Sequence, residues 1–218
     1  MLFGYLAAVA PSVELVTGIV ILPQRQTALV AKQAAEVDLL AQGRFRLGVG
    51  IGWNAVEYEA LGKDFTNRGR RMEEQVELLR RLWTERSVTF EGTYERVVGA
   101  GLAPLPVQRP IPVWVGGSSA PAYRRMGRIA DGWFPQVPPD DRLHEALATI
   151  GAAATEAGRD PAAIGMEGRV SYGDRLVDHV GRWRAAGASH LCVNTMGLGL
   201  GGVDGHLAAL REAAVAVL

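Results

Sequence analysis

At 218 residues, 48% hydrophobic and 21% charged, the chain has the composition of a globular protein with enough apolar residues for a sizeable core. Lysine plus arginine number 23 and aspartate plus glutamate 23, mixed along the sequence, so no concentrated basic face marks a nucleic-acid binder. The single cysteine excludes an internal disulfide; Cys192, inside Leu191-Cys192-Val193, reads as a small buried hydrophobe in a reducing, cytoplasmic setting.

The first ten residues are apolar and end in Ala-Val-Ala before Pro11. No lysine or arginine precedes Arg25, so the basic region of a signal peptide is absent. Glu14 interrupts the stretch well before the roughly 20 residues that a membrane span needs. Leu2 to Val9 therefore predicts a buried helix, and no membrane association is expected. The β-branched run Leu15 to Leu22, closed by Pro23, predicts one fully buried strand. Leu29, Val30, Ala34, Val37 and Leu40 then recur at the helical period, which predicts a helix over 27–41 stopped by Gly43.

Phe45 to Val49 is a short apolar run that breaks into Gly48, Gly50 and Gly52. Glycines crowded at the carboxyl end of a buried strand let backbone approach a ligand, because no Cβ intervenes. The alternative is an ordinary strand followed by a glycine-rich turn. A dinucleotide fingerprint does not fit, because the position required for its last glycine is Trp53.

Asn54 to Gly62 reads as a connection, and Arg68 to Trp83 as an amphipathic helix with Met72, Val76, Leu79, Leu82 and Trp83 on one side. Val88 to Val98 predicts a hairpin turning at Glu91-Gly92. Val113 to Val115 predicts a strand running into Gly116-Gly117-Ser118-Ser119 and a helix over 120–129. Glycines and hydroxyls before a helix N-terminus offer N–H donors and the positive end of its dipole, which suits a phosphate; an ordinary serine cap is the other reading. Further on the pattern predicts a very short strand at 130–134, a helix over 143–157 and a strand over 164–172. A helix over 176–186, a strand over 190–196 and a helix over 206–217 complete it. Gly197, Gly199 and Gly202 satisfy G-x-G-x-x-G, but no strand with a ribose-binding acid follows. About six strands alternating with helices imply a parallel sheet with helical covering.

Nucleophile-elbow, Walker and zinc-protease motifs are absent, and His144, His179, His190 and His206 have no metal-site spacing. No metal is expected.

Several motifs occur together in order. They are Ala31-Lys32-Gln33, Asp38-Leu39-Leu40, Gly43-Arg44 through Gly52-Trp53, and Glu57-Tyr58-Glu59-Ala60-Leu61-Gly62. Arg68-Gly69-Arg70-Arg71-Met72-Glu73-Glu74, Leu82-Trp83, Phe90-Glu91-Gly92, Pro112 through Gly117 and Ala130-Asp131-Gly132-Trp133 follow. This set resembles the luciferase-like monooxygenase superfamily, especially its F420-dependent branch, from about Leu2 to Pro135. The resemblance implies an α/β fold, a TIM (β/α)8-type barrel that here lacks the first two strand–helix units, over one domain, 1–218. It implies coenzyme F420, or FMN as the alternative, at the C-terminal face. Gly116, Gly117 and Ser118 would hold the cofactor phosphate, and Gly50, Gly52 and Asn54 would lie beside its ring. Gly18 and Ile19 would lie behind the ring, joined by a non-proline cis peptide. Catalytic residues are unassigned: the catalytic His and Trp of some F420-dependent members fall in the lacking segment, and a glutamate proton donor of one member would fall at or next to Trp53, so its role is not carried over. The implied activity is hydride transfer between cofactor and a small organic substrate. The alternative is a reduced, non-catalytic flavin-binding homodimer. Family dimers pair through the helices matching 2–9 and 27–41.

Overall fold

The computed structural model describes residues 2–217 and divides into two units, Met1–Gly117 with Ile129–Asp131, and Ser118–Arg128 with Gly132–Leu218. The first contains helix α1 (Leu2–Val9), strands β1 (Leu15–Val16) and β2 (Val20–Ile21), helix α2 (Thr27–Leu40) and strand β3 (Phe45–Gly50). Helices α3 (Ala55–Ala60) and α4 (Arg68–Thr84) follow, then the hairpin β4 (Val88–Glu91) and β5 (Arg96–Ala100), and strand β6 (Val113–Gly116). Every residue of β3 is buried, as a central parallel strand requires. It pairs with β1 through Leu15 and Phe45, with β2 through Val20 and Val49, and with β6 through Val49 and Val115, all in parallel.

The expected single strand over 15–22 is instead broken into β1 and β2, with Val20 and Ile21 half-buried and Ile19 exposed. The reason lies in Thr17. Its hydroxyl donates to the Gly48 carbonyl (2.8 Å) and accepts from the Gly48 N–H (2.8 Å), so a side chain satisfies the groups that a continuous ladder would use. The backbone is then free to leave the sheet, and the Gly18–Ile19 peptide is cis.

Helix α1 forms where expected but is not buried. Only Ala7 is, while Leu2, Tyr5 and Val9 face solvent. Its packing rests on α2 and on an edge contact between the Phe3 and Phe45 rings at 6.0 Å. Helix α2 ends by Gly43 donating to the Asp38 carbonyl (2.8 Å) and Gln42 to that of Leu39 (3.1 Å). This double closure puts Gln42 at φ 53, ahead of Gly43 at φ 80, so a non-glycine residue takes the left-handed cap position expected of glycine. Glu74 on α4 accepts the backbone N–H groups of Thr93 (2.8 Å), Tyr94 (2.7 Å) and Glu95 (2.6 Å), which pins the hairpin turn to the helix.

The second unit contains α5 (Ala120–Ile129) except its last residue, β7 (Gly132–Phe134), α6 (Asp141–Glu156), β8 (Gly165–Ser171), α7 (Leu176–Ala185), β9 (His190–Asn194) and α8 (Gly202–Val217). Strands β7, β8 and β9 are parallel, with Trp133 opposite Met166 and Val170 opposite Val193. Asp140 caps α6 by accepting the Arg142 N–H at 3.0 Å, which starts that helix ahead of the periodic residues.

Cys192 is exposed rather than buried. Strand alternation places it on the face opposite Leu191 and Val193, beside Arg169 of β8. Partial desolvation, then Glu167, push its thiol pKa up against the opposing Arg169, which disfavours a thiolate. Among the described residues no helix is long and apolar enough to cross a membrane.

Candidate functional site

The carboxyl ends of β3 and β6 bring together the glycines that the sequence singled out. A Cβ built on Gly50 would sit 2.8 Å from Ile19 Cδ1 and 3.9 Å from the Gly116 carbonyl oxygen. One on Gly116 would sit 3.6 Å from Ile19 Cγ2 and 3.9 Å from the Val49 carbonyl oxygen. Ile19 thus lies against bare backbone from two adjacent strands while remaining 37% exposed. Gly18, beside it, is exposed, and a Cβ there would meet nothing within 4 Å. Gly52 turns the chain at φ 66, where an L side chain is strained and its Cβ would reach Ile21 at 3.0 Å. The missing Cβ atoms at Gly50 and Gly116 thus make the room that Ile19 fills, and Ile21 packs likewise on Gly52, so the apolar surface presented here is that of Ile19 seated on glycine backbone.

Asn54 is placed differently from its expected partners. Its side-chain oxygen accepts the Val56 N–H (3.1 Å) and its amide donates to Glu57 (3.2 Å), so it caps α3. The spacing Asn54-x-x-Glu57 is a capping signal visible in the sequence, where this segment reads as a connection. Glu57 also accepts from Gln24 Nε2 at 3.3 Å, tying the exit of β2 to α3. Trp53, between Gly52 and this cap, is 86% exposed.

Gly116 and Gly117 are half-exposed and close β6, with Gly117 at φ 149. Ser118 opens the second unit and is exposed. It is Ser119 that caps α5, its carbonyl accepting the Tyr123 N–H at 2.9 Å and its hydroxyl the Ala122 N–H at 3.4 Å. The cap thereby leaves Ser118 outside the helix, ahead of its N-terminus. At the other end of β6, Asp131 accepts the Val113 N–H (2.8 Å) and a charged bond from Arg80 (2.9 Å), which fixes where the strand starts.

Two hydroxyls near these glycines were not singled out from the sequence. Thr17 holds Gly48. Tyr58, 1% exposed, donates to the Ile51 carbonyl at 2.5 Å. Burial pushes the Tyr58 pKa up to about 12, with Glu57 adding to the rise and Arg68 and Arg71 opposing it. Sequence marks Tyr58 as a member of the Glu57–Gly62 motif shared with the family, but nothing local says which carbonyl it reaches.

The family model of luciferase-like monooxygenases matches residues 1–178. The chain belongs to the luciferase-like monooxygenase family. Among similar curated proteins, the F420-dependent glucose-6-phosphate dehydrogenase of Segniliparus rotundus is 36% identical over 153 residues, 66% of this chain and 45% of that protein. The FMNH2-dependent dimethylsulfone monooxygenase of Pseudomonas fluorescens is 37% identical over 112 residues, 50% of this chain and 30% of that protein. The chain spans about half the length of the curated relatives it matches. Among solved structures, an F420-dependent secondary alcohol dehydrogenase in complex with an F420-acetone adduct superposes with a TM-score of 0.83 at 18% identity, covering 99% of this chain and 84% of the other. That likeness carries the fold, which is α/β of the luciferase-like TIM-barrel type. The luciferase-like family uses flavin or F420 for oxidation and monooxygenation, and the relatives named here divide between those two cofactors.

Proposed function

We propose that this luciferase-like chain is an F420-dependent oxidoreductase, with FMN as the alternative cofactor, that transfers hydride between the cofactor and a small organic substrate. The observation that carries the reading is the meeting of Gly50 and Gly116 under Ile19 at two adjacent strand ends. Active sites of barrel folds lie at the carboxyl ends of the strands, and an apolar surface there, Ile19 seated on glycine backbone, suits a planar ring. When bound, the cofactor supplies the hydride chemistry. The chain's own residues bind and orient it. Gly50, Gly52, Gly18 and Ile19 form the wall, Asn54 holds the adjoining helix, and Gly116 and Gly117 offer backbone N–H donors to a phosphate. The named relatives are enzymes, which favours this reading over a non-catalytic flavin-binding protein.

The test is a fluorescence titration of the purified chain with F420 and, separately, FMN. Saturable binding of one of them is expected, weakened at least ~100-fold in a Gly116→Asp/Gly117→Asp double variant, because two carboxylates would face the phosphate charge. A folded chain that binds neither cofactor sinks the reading.

A homodimer in a cytoplasmic setting is part of the same proposal, and the exposed Leu2, Tyr5 and Val9 of α1 support it. Sedimentation across a concentration series is expected to show a dimer. A monomer throughout would remove that part alone.

A further inference from the structure

We propose that Tyr58 is a positioning residue for the cofactor, acting through the Ile51 carbonyl to set the Gly50–Gly52 wall. This rests on the reading of that wall as the seat of the ring. The physical basis is the sequence of contacts leading into it. The end of β3 is gripped on two sides by hydroxyls from other segments, Thr17 on Gly48 and Tyr58 on Ile51. Between them lie only Val49 and Gly50.

The two grips have different consequences. Thr17 precedes the Gly18–Ile19 peptide and fixes Ile19 relative to β3. Tyr58 holds the segment after the strand, where Gly52 at φ 66 allows several backbone paths. A glycine-flanked carbonyl without an anchor would sample those paths. The phenol selects one of them.

The phenol is itself held rigidly. Its ring meets Phe65 edge-on at 5.3 Å, and the Arg68 guanidinium lies 3.7 Å from the Phe65 ring centre. Arg68 also donates to the Phe65 carbonyl at 2.7 Å. The charged groups bearing on the phenol are Glu57 on its own helix and Arg68 and Arg71 on α4. The anchor therefore runs from the start of α4 through Phe65 and Tyr58 to the backbone beside Gly50.

Ionisation gives the contact a pH signature. The folded phenol holds its proton more tightly than the ordinary value of about 10, so its contribution is whole below pH 10 and is lost as pH rises towards about 12. An ionised phenolate cannot donate to a carbonyl.

The test compares wild type with Tyr58→Phe in cofactor titrations, reading affinity and the absorbance and fluorescence of the bound ring at saturation. Loss of one buried hydrogen bond at the wall is expected to raise Kd about tenfold and to change the bound-ring spectrum. A side chain that served stability alone would lower the unfolding midpoint and leave both unchanged, and that result overturns the proposal. Should Tyr58→Phe fail to fold, 3-fluorotyrosine placed at 58 decides the matter, since it keeps the ring and the bond but has a more acidic hydroxyl. Cofactor release on alkaline titration is then expected at lower pH than in wild type; release at the same pH overturns the role. Binding of neither cofactor by wild type is the separate failure of the functional reading, and it removes this role with it.

Discussion

Trp83→Ala lowers the unfolding free energy by about 3–5 kcal/mol and the melting temperature by on the order of 10 °C. Trp83 is 0% exposed and lies at the end of α4, where its indole N–H donates to the Ala31 carbonyl of α2 at 3.0 Å. Leu78, Leu79 and Leu82 of α4 and Ala31, Ala34 and Ala35 of α2 are buried in the same unit, so the indole belongs to the core that helices pack against β3. Truncation removes the largest class of buried side chain and leaves a cavity that alanines cannot close. Trp83→Phe should lose less, since most of the apolar volume stays and the Ala31 carbonyl sits within a helix. Urea unfolding measures both. A loss below about 1 kcal/mol for the alanine variant would show that α2 and α4 collapse onto the space.

In the second unit the largest effect is expected at Gly127. Gly127→Val should destabilise the chain by about 3 kcal/mol. A Cβ at 127 would lie 2.3 Å from the Ile150 carbonyl oxygen, 2.8 Å from the Ala154 nitrogen and 2.8 Å from Ala153 Cβ. These are mostly backbone atoms of α6, so no rotamer change relieves the clash and the two helices must separate. Helix propensity acts in the opposite direction, by up to ~1 kcal/mol in favour of replacing a helical glycine by alanine. Gly181→Ala on α7 isolates that effect, because a Cβ there meets nothing within 4 Å. The pair should move in opposite directions in urea titrations. Equal small gains at both sites would mean that α5 and α6 are not held at the spacing described.

Much of the fold is local and therefore legible. The helices α2, α4 and α5 lie within a residue or two of their expected bounds because a 3.6-residue apolar period is written into each segment. Strand β3 is readable as a short, mostly apolar run, interrupted only by Arg46, that leads into glycines, and the Glu91-Gly92 turn from its composition. Local signals also existed that composition obscured. Asn54-x-x-Glu57 starts α3, and Asp140 starts α6 ahead of its periodic residues.

The misreadings have a common cause. A run of β-branched residues at 15–22 looks like one strand until Thr17 is seen to bond Gly48, 31 positions away. The apolar α1 looks buried, yet burial depends on what packs against it, and Leu2, Tyr5 and Val9 remain in solvent. Cys192 sits among apolar neighbours in sequence, but alternation turns it to the other face of β9.

The candidate site divides along the same line. Glycines at 50, 52, 116 and 117 could be picked out because the absence of a Cβ is a property of the residue itself, whatever surrounds it. So could the family, because the order of motifs along a chain survives without coordinates. That Ile19 covers both Gly50 and Gly116, and that Tyr58 holds Ile51, only the tertiary structure decided. Chain periodicity constrains neighbours three or four residues apart, whereas these contacts join separate segments through packing and single hydrogen bonds whose partners no local pattern names.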